Sequence, residues 1–155
     1  MAIAAGRTHA LGLVAAARSV VDASAEPKNL RLYLATDLVE GSRARSVLEQ
    51  SLKCALQNVR YELALVDASI LARHSDVVAK VLGHDRKEPM SETSRRLRSS
   101  PVNYARFFLE ELFPSLSGMK VAYLDPDVSV FGDVAHLIDE AFMGEAVLQE
   151  HDRKA

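Results

Sequence analysis

Apolar and polar positions come in short blocks along this chain, and the period of each block distinguishes strands from helices. Ala2 to Ala5 is a short apolar run of the kind a strand buried on both faces needs, and a helix follows from about Ala10 to Ala23. Leu11, Val14, Ala15 and Arg18 fall on one stripe of that helix, which is read as its core side. Leu30 to Ala35, after Pro27, is a second strand. Ser42 precedes a helical run in which Val47, Leu48, Leu52, Ala55 and Leu56 share a face, with Cys54 expected on the buried side. Alternation returns from Arg60 to Val66 through Tyr61, Leu63 and Leu65. Ser69 to Leu82 has helical spacing again and ends at Gly83, a C-terminal cap.

From His84 to Ser100 the apolar period stops. Arg86, Lys87, Arg95, Arg96 and Arg98 gather there among polar residues, which reads as a long surface loop or, alternatively, as a basic flap over an anionic substrate. Ser100 then Pro101 marks a helix start, because a serine side chain can cap free N–H groups and proline has no N–H to satisfy. That helix is expected to reach Leu112, with Tyr104, Phe107, Phe108 and Leu112 buried and Asn103, Arg106 and Glu110 on another face. Lys120 to Leu124 is a fourth strand, interrupted by Asp125-Pro126-Asp127 and resumed at Val128 to Val130, before Gly132 and Asp133 open a helix to Phe142.

Strands alternating with helices predict an α/β fold with a mostly parallel sheet, whose ligands bind beyond the carboxyl ends of the strands. Length agrees with one domain, 155 residues with 48% hydrophobic and 26% charged. The 19 basic and 21 acidic residues leave a net charge of −2, which argues against a nucleic-acid partner held by charge alone. A lone Cys54 excludes an internal disulfide, and no apolar stretch approaches the roughly 20 residues of a membrane span. No Gly-x-Gly-x-x-Gly follows a strand, so dinucleotide binding is set aside.

Asp125 and Asp127 are the sharpest chemical feature. In an extended segment residues two apart point to one side, so both carboxylates can face one hard divalent cation while Pro126 restricts the backbone. A polar turn is the plainer explanation of the same three residues. Asp133 is better placed to cap a helix than to be a third ligand, and His74, His84 and His136 are isolated.

The run Asn103-Tyr104-Ala105-Arg106, Phe113-Pro114, Tyr123-Leu124-Asp125-Pro126-Asp127-Val128 and Gly132-Asp133 through Leu137 resembles family 8 glycosyltransferases. Within the family, the Asn-Tyr-Ala-Arg segment looks most like the galacturonosyltransferase-like branch, and bacterial lipopolysaccharide hexosyltransferases share the layout. The resemblance is dense over Pro101 to Gly144 and diffuse but colinear before it. It implies a GT-A, Rossmann-like fold and a retaining hexosyltransferase that moves a sugar from a UDP-sugar to a carbohydrate acceptor. Asp125 and Asp127 would hold Mn²⁺ or Mg²⁺ against the donor diphosphate, and Arg106, beside Asn103, would reach the donor sugar. After the first strand the family usually shows acidic residues, then Asn and an aromatic. Here Gly6-Arg7-Thr8-His9 stands instead, with His9 at the aromatic position and expected to stack on uracil.

Family members also continue through an acceptor-binding half with a late His and Lys segment. Residues 1–155 are therefore expected to be a partial GT-A domain lacking that half, and the alternative function is a catalytically incomplete relative that keeps only metal or nucleotide binding. The compartment is left open between the Golgi, for a eukaryotic member, and the cytoplasm, for a bacterial one. A phosphatase reading of Asp125-Pro126-Asp127 fails on position, because three strands precede a motif that would normally end the first.

Overall fold

A computed structural model describes residues 1–74 and 100–136. Its strands are β1 (Ala2–Ala5), β2 (Arg31–Thr36), β3 (Arg60–Leu65) and β4 (Tyr123–Leu124), all parallel, in the order β3-β2-β1-β4. The helices are α1 (Ala10–Ala23), α2 (Arg43–Ala55), α3 (Ala68–Arg73) and α4 (Leu109–Leu112). Strand order therefore runs outward from β1 to β3 and then reverses, with β4 added on the other side of β1.

Period two along the strands explains why the core has two halves. Ile3, Ala5, Leu32 and Leu34 project to the face covered by α1 and α2, where Leu13, Ala16, Ala17, Val20, Leu48 and Leu52 meet them. Ala2, Ala4, Tyr33 and Ala35 project to the opposite face, against Ile70, Val102, Tyr104, Phe108, Phe113 and Leu116. Both faces of β1 and β2 are buried, and near-continuous apolar sequence is the result.

Burial on the helices differs from the pattern read along the chain. On α1 the buried stripe is Leu13, Ala16, Ala17, Val20 and Val21, while Leu11, Ala15 and Arg18 face water and Val14 is only partly covered. Two residues advance a helix by about 200°, so both stripes of this alanine-rich helix looked equally apolar. Arg18 settles the choice from outside, bridging Asp22 on its own helix and donating to the Ala55 carbonyl at 3.0 Å. On α2 the buried stripe is Arg45, Leu48 and Leu52, continued by Leu56 just past the helix end, which turns Val47 and Cys54 outward. Cys54 is exposed, not a core residue. Ser42 caps α2 through Oγ, which accepts from Arg45 N at 3.2 Å.

The segment after Ser100 is also not the single helix expected. Pro101–Phe107 is a 3-10 helix, Phe108 breaks it at φ −127°, ψ 24°, and α4 is one short turn. Ser100 makes no side-chain cap, and Asn103 N bonds its backbone oxygen at 3.2 Å. Tyr104 and Phe108 are buried as expected and Leu112 partly so, whereas Phe107, the last residue of the 3-10 helix, is half exposed. His74, at the end of α3, is not isolated. It stacks on Phe108 with centroids 4.5 Å apart and pairs through Nε2 with Glu111 at 2.6 Å, beside an Arg73–Glu111 ion pair. Hydrogen bonds with His74 and Arg73 hold the Glu111 carboxyl below its ordinary range.

Strand β4 is two residues long, not five, and Val128 to Val130 forms no strand. Its partner β1 is itself only four residues, and Pro126 has no N–H to extend a ladder. The segment instead lies along α1. Val130 N donates to Ser19 Oγ at 3.0 Å, and a Cβ added at Gly12 would sit 2.7 Å from the Pro126 carbonyl oxygen. Alanine is a better helix former than glycine by about 1 kcal/mol, yet Gly12→Ala is expected to destabilise the protein by about 1–3 kcal/mol because backbone must move. Thermal melting checks this, and a Tm at or above the parent value would mean the turn is not seated on α1. The helix from Ser69 to Leu82 is described only as far as α3, and Gly83, His84 to Ser99 and the helix beyond His136 lie outside the described residues.

Candidate functional site

The carboxyl ends of β1, β2 and β4 form one edge, and the polar residues of interest follow directly on those strands. Parallel pairing of Ala2 with Tyr123 and of Ile3 with Leu124 brings Asp125 to that edge, beside the strand where the order reverses. Past Leu124 the backbone is not extended. Val128 N bonds the Asp125 carbonyl at 3.2 Å, closing a turn with Pro126 at its second position. Asp125 and Asp127 therefore sit on a turn rather than alternating along a strand, and both are exposed.

Arg106 comes to Asp125 from the other layer. Its Nη2 donates to Asp125 Oδ1 at 3.2 Å, and its guanidinium carbon lies 5.0 Å from the centroid of the Tyr123 ring. An ion pair this exposed, 45% and 52% for the two side chains, contributes about 0–1 kcal/mol. Its consequence is orientation, since a fixed guanidinium stands beside a fixed carboxylate. Burial pushes the Tyr123 phenol above its ordinary range, with the Arg106 charge opposing and the Asp125 charge reinforcing the shift. Glu110, the alternative partner four residues on, belongs to α4 and lies past the break at Phe108.

Asn103 and Arg106 are three apart on a 3-10 helix, where such residues eclipse one another, so both present to the same side and both are exposed. His9 is exposed at the N-cap of α1, beyond the carboxyl end of β1, with Nδ1 3.0 Å from Thr8 Oγ1. Asp133 acts as the helix cap expected of it, its Oδ1 accepting from Ala135 N at 3.0 Å. Among the described residues no group of three or more His, Cys, Asp or Glu converges to hold a metal ion. A hard cation that keeps several waters and takes one or two protein carboxylates plus phosphate oxygens remains compatible with the Asp125–Asp127 turn.

Sequence reasoning passed over Asp37. It follows β2 directly, its Oδ1 is shielded from water without a hydrogen-bond partner, and its Oδ2 lies 3.2 Å from where a Cβ on Gly6 would stand. A charged residue placed immediately after a run buried on both faces was the available signal. Among the described residues no helix is long and apolar enough to cross a membrane. The family model for glycosyl transferase family 8 matches residues 1–153. No curated protein and no solved structure matches the chain.

Proposed function

Since the chain belongs to glycosyl transferase family 8 and is a glycosyltransferase acting between a sugar donor and an acceptor, we propose that its donor is a UDP-sugar. Asp125 and Asp127 hold the donor diphosphate through Mn²⁺ or Mg²⁺, and a hexosyl group passes to a carbohydrate acceptor with retained anomeric configuration. The observation that carries this reading is the Arg106–Asp125 pair at the carboxyl end of β4. It sets a cation with free donor positions next to a carboxylate suited to a metal, which are the two groups a sugar joined to a diphosphate requires.

When bound, the cation neutralises charge developing on the departing diphosphate. Arg106 orients the sugar through the guanidinium hydrogens that Asp125 does not take, and Tyr123 beneath it limits where that plane can lie. Asn103, on the same side of the 3-10 helix, offers an amide to the sugar hydroxyls. His9 provides a ring for the base at the end of β1.

Calorimetric titration of the full chain with a UDP-sugar tests the reading. Binding is expected with Mn²⁺ and not with a chelator, and equal binding in both would overturn the metal assignment. Arg106→Ala is expected to weaken the UDP-sugar about tenfold more than UDP itself, and equal losses would remove the sugar contact. A second reading is a catalytically incomplete relative that binds metal and nucleotide only. Metal-dependent sugar transfer or hydrolysis by the purified chain excludes it.

A further inference from the structure

The layer that carries Arg106 is tied down by two sets of polar contacts, and only one of them belongs to the site described above. The first is the Arg106–Asp125 pair beyond β4. The second is made by the last residues of α3, the helix that follows the edge strand β3. Glu111 on α4 is held there through both carboxylate oxygens. Its Oε1 accepts from Arg73 Nε at 3.0 Å, and its Oε2 pairs with His74 Nε2 at 2.6 Å. Arg73 is anchored in turn, since its Nη1 donates to Ser69 Oγ at 2.7 Å and Ser69 donates to Asp67, the residue that caps α3.

His74 also stacks on Phe108, with the two ring planes 20° apart, and Phe108 is the residue on which the local backbone changes course. Its N–H closes the 3-10 helix onto the Ala105 carbonyl at 3.0 Å, and its own carbonyl accepts from Leu112 N at 3.0 Å to begin α4. A 3-10 helix of seven residues exceeds the roughly three or four that its poorly aligned hydrogen bonds usually sustain, so the point where it stops has to be fixed from outside. Arg106 stands just before that stop, and its own pair with Asp125 is half exposed and weak. From this we infer that His74 is a positioning residue for Arg106. Its ring, oriented by Glu111 and stacked on Phe108, fixes the end of the 3-10 helix and so the direction in which the guanidinium leaves it. The inference rests on Arg106 meeting the donor sugar, as proposed above, but not on the metal.

The test is calorimetric titration of the full chain with UDP and with UDP-galactose or UDP-glucose, whichever sugar the parent binds more tightly. The ratio of the two affinities reads the sugar contact. His74→Ala is expected to lower that ratio about threefold, on the order of what one aromatic stack contributes, while UDP binds as before. His74→Gln, which still donates to Glu111 but has no ring, is the second variant and is expected to lower it as much. His74→Phe, which keeps a ring over Phe108, is expected to restore the parent ratio to within about twofold. A cycle with Arg106→Ala separates positioning from support, since His74→Ala should leave the ratio alone once Arg106 is gone while still lowering Tm. An unchanged ratio in His74→Ala and His74→Gln, with or without a lowered Tm, overturns the proposal. So does a His74→Phe chain no better than His74→Ala, or a further fall of the ratio in the double variant. A ratio that Arg106→Ala itself does not move defeats the sugar contact and His74 with it, whereas an effect of Arg106→Ala with none of His74→Ala defeats His74 alone.

Discussion

Asp125→Ala is expected to loosen metal-dependent binding of a UDP-sugar by about 100-fold or more, since loss of a supporting partner alone typically costs 10- to 100-fold and this change removes a ligand. It also frees Arg106 from its ion pair with Asp125, so the sugar contact loses its orientation in the same step. Stability is expected to change by no more than about 1 kcal/mol, because the pair is half exposed. Asp125→Asn separates the two effects. Its amide oxygen still accepts from Arg106 but carries no charge for a cation, so sugar orientation survives while metal dependence does not. Calorimetry with Mn²⁺ and with chelator measures both, and unchanged metal-dependent binding in Asp125→Ala would remove the site from this turn.

The largest loss of stability is expected from Phe113→Ala, about 3–5 kcal/mol. Phe113 is 2% exposed and meets Tyr33 edge-on, with centroids 5.2 Å apart and planes at 66°. It fastens the layer that carries Arg106 to the face of β2, so truncation opens a cavity between sheet and site. Urea unfolding should show a lower midpoint with the slope preserved. Phe107→Ala, on the same layer but half exposed, is expected to cost far less. Equal losses from the two would contradict the burial assigned to Phe113.

Much of the frame is legible along the chain because strands buried on two faces are apolar throughout. Ala2–Ala5 and the run ending at Thr36 could hardly be anything else, and the parallel sheet follows from the helices between them. Where two stripes of one helix are equally apolar, period cannot choose between them. Leu11 and Leu13 on α1 differ only in which one the sheet and α2 happen to face. Cys54 faces water for a different reason, since Arg45 takes a core position on α2 that sequence pattern reserves for an apolar residue.

At the site, residue types and spacing identify Asp125, Asp127, Asn103 and Arg106 as chemistry-bearing, and the match over residues 1–153 supplies the family. Their relation to one another is not in the spacing. Asp125 and Arg106 are nineteen positions apart, and it is the docking of a 3-10 helix on one face of β1 and the pairing of β4 on its edge that bring them to 3.2 Å. Asp37 is more dependent still on the fold, for its neighbour Gly6 is distant in sequence and adjacent only through the parallel register of β1 and β2. Periodicity alone determined that this chain builds a parallel sheet with polar residues at the strand ends. Which of those residues share a cleft was decided by tertiary packing, because strand order and register are set by contacts between segments that local sequence does not encode.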